Sequence, residues 1–225
     1  MPESLQGGAS VINCWWDRSK IAEARLLDGP NFRPLAHLTG QQLVLLGGEV
    51  TFETDTRRAR LRSDLEAARG EFHAMVASIS EQGWTEPSRN PGWTNGQLLF
   101  HVLLGFVLVL PLAGILVFFG HLPSLCSRIF AGALNFSTPL FNRINAVGPR
   151  AGARVLDRAA VISKFDQVHG AVLARLDRVR PQDWALTMHY PTRWDPRFQT
   201  SMGLEDLFRY PVDHLRHHRH QLRAT

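Results

Sequence analysis

The feature that most constrains this fold is a long stretch without formal charge. No Asp, Glu, Lys or Arg occurs from Asn90 to Ser127. Within it, Leu98–Gly120 reads LLFHVLLGFVLVLPLAGILVFFG and is almost wholly apolar. A run of more than roughly 18 such residues is long enough to cross a bilayer as a helix. An equally apolar helix can instead be the central helix of a bundle, covered by its neighbours. His101 near the start, Pro111 in the middle and glycines 105, 114 and 120 all weigh against a simple span.

Local signals place this stretch on a helix. Pro87, Pro91 and Gly92 make WTEPSRNPGW a loop. Thr94 and Gln97 then match a capping box, in which each side chain satisfies a backbone donor at the other's position. Trp93 before the cap and Leu98 after it match a hydrophobic staple. A helix is therefore expected from Asn95, with His101 on the face of Leu98, Gly105 and Leu108.

Three other helices are expected. The first runs from near Thr56 to about Gln82, with Leu61, Leu65, Phe72, Met75, Val76 and Ile79 at mostly three- and four-residue steps. Another covers about Leu156 to Val179, with Val161, Phe165, Val168, Val172, Leu176 and Val179 as its stripe, and stops at Pro181. The last runs from about Gly203 to Leu222 and contains Pro211, which removes one backbone bond. Between the second and third lies an apolar insert, broken at Pro139, Gly148 and Gly152 into one or two short helices. No run alternates with period two long enough to make a sheet. The expected fold is all-α: a four-helix bundle with an apolar helical insert between helices 2 and 3. Residues 1–52 form a loosely organised N-terminal arm, and 53–225 form the helical domain.

Composition narrows the function. The 225 residues carry a formal net charge of +5, and of 25 basic residues only Lys20 and Lys164 are lysines. The arginines are interleaved with acids along the chain, which favours a mixed solvated surface over a nucleic-acid footprint. Cys14 and Cys126 are too few for a disulfide scaffold or a four-cysteine zinc site, and neither neighbours a histidine base. The N-terminus, MPESLQGGASVINCWW, has an acid at position 3 and lacks the apolar core of a signal peptide. A cytoplasmic protein is expected.

Chemistry concentrates in the histidines. Steps of three and four from Leu207 lead to Pro211, His214, His218 and Gln221, so His214 and His218 continue the apolar stripe of the last helix. Four residues apart on one face, two imidazoles can share one ion. The spacing alone is weak, because DHLRHHRHQ is rich in histidine and reads equally as a basic tail in water. His101 adds weight. An imidazole within an apolar stripe needs a partner, since a buried unsatisfied polar group costs about 1–3 kcal/mol. The partner is either a core carbonyl or tyrosine, or a metal ion shared with His214 and His218. Three histidines would leave coordination positions open for water or substrate. Tyr210, one turn before His214, and Gln221, three residues after His218, are candidate partners for the imidazoles. Arg193, in YPTRWDPRF, is a candidate for an anionic substrate, although a packed loop with an exposed arginine is the commoner outcome.

These pieces resemble the DinB-like (YfiT-type) family of helical bundle proteins. The resemblance rests on an Arg/Leu-rich first helix ending at Gly83-Trp84, on PGWTNGQLLFH at 91–101, and on the His-x3-His-x2-Gln pattern in DLFRYPVDHLRHHRHQL at 206–222. It covers roughly Thr56 to Leu222. It implies a four-helix bundle around a divalent metal held by His101, His214 and His218, with zinc or nickel as the ion. It also implies a small-molecule substrate and a reaction like that of relatives that transfer a low-molecular-weight thiol such as mycothiol. Hydrolysis on the same fold is the close alternative. A non-enzymatic helical module, dimerising or membrane-associated, is the rival from another class. The arm and the insert at 112–150 depart from compact members. If His101 lies in a bundle core, a single membrane span would strand it in lipid, which is costly. Packing within the protein or in a homodimer is then favoured over membrane contact of 102–120.

Overall fold

The computed structural model of the protein describes residues 40–224. The chain divides into two compact units, 1–47 and 48–225, and the second holds all the histidines discussed above. The described residues are mostly helical. The α-helices are α1 Gly40–Ala77, α2 Asn95–Gly120, α3 Ser124–Phe136, α4 Thr138–Val155, α5 Arg158–Asp177 and α6 Leu204–Arg219. Two short strands, β1 Thr187–His189 and β2 Ser201–Gly203, pair antiparallel with Met188 opposite Met202. Three residues are too few to display an alternating pattern, so this ribbon escapes detection in the sequence.

Of the expected arm at 1–52, residues 1–39 lie outside the described residues. The rest belongs to α1, which starts well before the expected Thr56. Gly47 and Gly48 lie within it: each glycine costs about 1 kcal/mol relative to alanine in a helix, but both keep the N–H that the helical ladder needs. At the other end, α1 stops at Ala77, short of Gln82. The Ser78 hydroxyl donates to the Met75 carbonyl at 2.8 Å, and the Ser80 hydroxyl accepts from the Gly83 N–H at 3.0 Å. Such serine side chains compete with helical backbone bonding. Arg158 then closes the end of α1 by donating to the carbonyls of Ile79 and Val76 at 2.8 and 2.9 Å.

Helix α2 begins as its sequence indicates, with Thr94 and Gln97 forming both halves of the capping box. It continues through Pro111, whose ring sits on the exposed side. Its buried side follows three- and four-residue steps through Leu98, Val102, Phe106, Val109, Ala113 and Leu116. Helix α2 packs against α4, α5 and α6. Helix α1 runs antiparallel to α5. Arg58 donates to the Val179 carbonyl at 2.8 Å, His169 Nε2 bonds the Leu65 carbonyl at 3.0 Å, and the rings of Phe72 and Phe165 stack at 3.7 Å. Phe106 of α2 meets Phe165 edge-on at 4.9 Å, which brings three helices onto one aromatic cluster.

The insert is more regular than expected. Helix α4 passes through Gly148, Pro149 and Gly152 instead of breaking there. Gly152 has a packing role: a Cβ at that position would lie 2.2 Å from the Phe100 ring, so α4 crosses α2 where only glycine fits. Pro211 is likewise absorbed inside α6.

Candidate metal centre

Three histidines meet in the interior of the helical unit. His101 comes from α2, almost two turns past its cap, and His214 and His218 come from α6, one turn apart. All three are buried. His101 Nε2 and His214 Nε2 face each other at 3.1 Å. One ligand atom from each of the three rings can be chosen so that all lie within 4.8 Å of one another.

The clasp between the start of α2 and the end of α6 brings them together. Asn95, the first residue of α2, donates from Nδ2 to the carbonyls of Gly83 and Arg223 at 2.9 and 3.0 Å and accepts the Arg223 N–H at 3.1 Å. The Arg89 N–H, in the preceding loop, donates to the Gln221 carbonyl at 2.8 Å. A ligand near the beginning of one helix therefore sits beside ligands near the end of the other.

Gln221 orients one of the rings. Its Oε1 accepts from His218 Nδ1 at 2.8 Å and also from Asn90 Nδ2 at 2.8 Å. An amide oxygen cannot donate, so Nδ1 of His218 carries the proton and its Nε2 presents a lone pair. The amide nitrogen of Gln221 donates to His217 Nε2 at 3.2 Å. His217 is thus held beside His218 and stays outside the triad. Holding the second ring nitrogen in this way fixes the tautomer of a metal-binding histidine and raises its basicity.

Burial keeps the triad neutral. It pushes the His101 imidazole down to about 3, with the charge of His217 adding to the effect. His218 is pushed down to about 2, first by burial and then by His101. His214 falls well below the ordinary imidazole value for the same reasons. At neutral pH three lone-pair donors therefore surround one point, and three neutral imidazoles are a donor set suited to zinc, nickel, copper or iron. Metal–nitrogen bonds of about 2.0–2.1 Å at a tetrahedral angle put ligand nitrogens roughly 3.3 Å apart, close to the spacing of His101 and His214. The residues present fit a divalent ion.

The ring of His214 has room because the residue facing it has no side chain. A Cβ on Gly105 would lie 2.6 Å from His214 Nδ1 and 3.1 Å from Cε1. Gly105 stands one turn after His101 on the same face of α2. Trp93, expected as a staple with Leu98, lays its ring 4.7 Å from that of His101 and donates its indole N–H to the Ala146 carbonyl of α4 at 3.3 Å.

The remaining sequence candidates fall as follows. Gln221 touches the triad directly. Tyr210 stacks on His214 at 5.6 Å, but its hydroxyl donates to Asp195 Oδ2 at 3.0 Å and so serves the loop before β2. The Arg193 side chain is exposed, and its backbone N–H donates to Asn135 Oδ1 at 3.0 Å. The guanidinium that acts on the histidines is that of Arg197, whose charge further disfavours protonation of His214 and His218. Elsewhere on α5, His169 is buried and bonds the Leu65 carbonyl, while Asp166 pairs with Arg69 and His73 at 2.8 and 2.9 Å. Asn90, Gly105 and Arg197 were missed in the sequence. Only Gly105 carried a usable signal, as a small residue one turn from a histidine on the same face.

The sequence profile of the DinB superfamily matches residues 64–222, more than half of the chain and every histidine of the cluster. No curated protein and no solved structure shows significant similarity to the chain.

Proposed function

Since the chain belongs to the DinB superfamily, we propose that His101, His214 and His218 hold one divalent metal ion, zinc or nickel. In this reading the protein is a metal-dependent S-transferase that joins a low-molecular-weight thiol, such as mycothiol, to a small electrophile in the cytoplasm. The observation that carries the metal site is the convergence of three buried, neutral imidazoles with Gln221 holding one ring by its far nitrogen. We read α1, α2, α5 and α6 as the four-helix bundle of the family, with α3 and α4 as the insert between its second and third helices.

Bound there, a divalent ion supplies Lewis acidity, which brings the ionisation of a thiol or water near neutral pH. The chain's own residues do the rest. His218 is oriented by Gln221, and the loop holding Asn90 locks Gln221 in turn. Gly105 leaves the space in which His214 stands. Trp93 and Tyr210 cover the rings of His101 and His214 and exclude water from two sides. The positive charge of Arg197, which acts on His214 and His218, would favour an anionic group on the thiol or its acceptor. Histidines this far below their ordinary value stay deprotonated at neutral pH, so they serve as donors to a cation and not as general acids.

The test is metal content of untagged protein for the wild type and for His101→Ala, His214→Ala and His218→Ala. One ion per chain in the wild type, lost in each variant, is expected, followed by consumption of thiol with a panel of electrophiles. Absence of a bound ion, together with no uptake of added zinc or nickel, refutes the reading.

A further inference from the structure

Every exposed large apolar side chain among the described residues lies between Phe118 and Val155. Most belong to α3 and α4. Leu125, Ile129, Phe136, Leu140, Ile144 and Val147 are 49–89% exposed and follow one another at three-, four- and seven-residue steps. That spacing keeps them on one face of a helix. Each helix carries its part of the stripe, and they meet at Ser137, where some of the helical bonding is kept. The Ser137 N–H donates to the Ala133 carbonyl at 3.1 Å, and the Phe141 N–H donates to the Ser137 carbonyl at 3.0 Å. The opposite side of the insert is the one that packs inward, through Ala131 and Pro149 and against the Trp93 indole.

The charges on the insert itself have one sign. From Pro87 to Leu156 there is no Asp or Glu, whereas α3 and α4 carry Arg128, Arg143, Arg150 and Arg154. All four arginines are exposed. Arg143, Arg150 and Arg154 follow the helical step along one edge of the α4 stripe, and Arg128 stands at the same angular offset on α3. Arg150 reaches back to the Gly92 carbonyl at 3.1 Å.

An apolar face bordered by arginines and free of acids matches an interfacial helix on an anionic bilayer. It fits a second copy of this chain poorly. In a two-fold contact through this face the arginine edges would approach each other with no carboxylate on the insert to pair them. Nor does it describe a spanning helix, since α2, long and apolar enough to cross, is packed against α4, α5 and α6.

We propose that the α3–α4 insert docks this protein on the surface of an anionic lipid membrane. The apolar stripe enters the acyl boundary, and Arg128, Arg143 and Arg154 meet lipid phosphates. The proposal is independent of the metal site, which lies in the interior.

The test is flotation of the full chain with phosphatidylcholine vesicles, with and without phosphatidylglycerol, at low and high salt. Two surface variants are compared, Ile129→Asp/Ile144→Asp and Arg143→Glu/Arg154→Glu, with circular dichroism and gel filtration as controls for folding and assembly. The wild type is expected to float with the anionic vesicles alone and to be released by salt. Both variants should fold normally and float poorly, with roughly fivefold weaker binding for each arginine contribution lost. Failure of the wild type to bind anionic vesicles overturns the proposal. So does binding that neither variant reduces, and so does a stable dimer in the wild type that Ile129→Asp/Ile144→Asp converts to monomer.

Discussion

Replacing Gly105 by alanine tests the metal site by adding one methyl group to a residue that would not touch the ion. The new Cβ would lie 2.6 Å from His214 Nδ1, whereas ordinary contact begins at about 3.4 Å. The imidazole must withdraw by about 0.8 Å, or α2 and α6 must part by as much. Metal–ligand distances tolerate only about ±0.2 Å, so His214 can no longer reach a position shared with His101 and His218. Affinity for zinc or nickel is expected to fall at least 10–100-fold, the range seen when groups supporting a ligand are changed. Metal-free stability has opposing contributions. Alanine gains about 1 kcal/mol of helix propensity, and overpacking costs about 1–3 kcal/mol. The apoprotein should therefore lose no more than about 2 kcal/mol while its affinity for the metal falls. Gly114→Ala is the control, on the same helix with its nearest neighbour an Arg175 nitrogen at 3.8 Å. It should stabilise the helix by up to about 1 kcal/mol and leave the metal untouched. The assay is competition for zinc against a chromophoric chelator, with thermal melts of both apoproteins. Wild-type affinity in Gly105→Ala would show that His214 is not held where the geometry places it, and would refute the argument.

Gln221→Ala removes the acceptor that holds His218 Nδ1, and metal affinity in the same competition assay should weaken by about 10–100-fold. A variant that binds as tightly as wild type would mean that the amide does not position the ring. The stability of the metal-free protein should fall as pH drops below about 6.5, the ordinary histidine value. His101 and His218 bind protons in the unfolded chain at that pH, but in the folded chain only near 3 and 2. The unfolded state therefore takes up more protons throughout that window, and stability is lost at up to about 1.4 kcal/mol per pH unit for each such histidine. Urea melts from pH 7.5 to 4.5 measure the slope; a flat profile, or one unchanged in His101→Ala, contradicts the burial of neutral imidazoles.

How much of this was legible in the sequence follows from the range of each interaction. The capping box of Thr94 and Gln97, the stripe Val161 to Val179 and the inward phase of His214 and His218 depend on residues within a turn or two, and all can be read directly. Where two local signals conflict, the reading fails. Gly148 and Gly152 look like breaks, yet α4 passes through them, because its packing against α2 supplies more than one residue's propensity removes. The β1–β2 ribbon is set by pairing across the loop at 190–200 and leaves no periodic trace.

The sequence by itself determined a helical chain with a strongly apolar second helix and histidines phased to the inside. Those properties follow from spacing along one strand of polypeptide. Only the tertiary structure decided that Asn90 and Gln221, 131 residues apart, brace His218. It alone showed that Gly105 makes room for His214, and that the charge of Arg197 acts on the cluster. It also divided the apolar content of 98–155 between a helix that is packed inside and an insert that exposes its greasy face beside arginines. Hydropathy along the chain is the same for a buried face and an exposed one; only the packing of other helices distinguishes them.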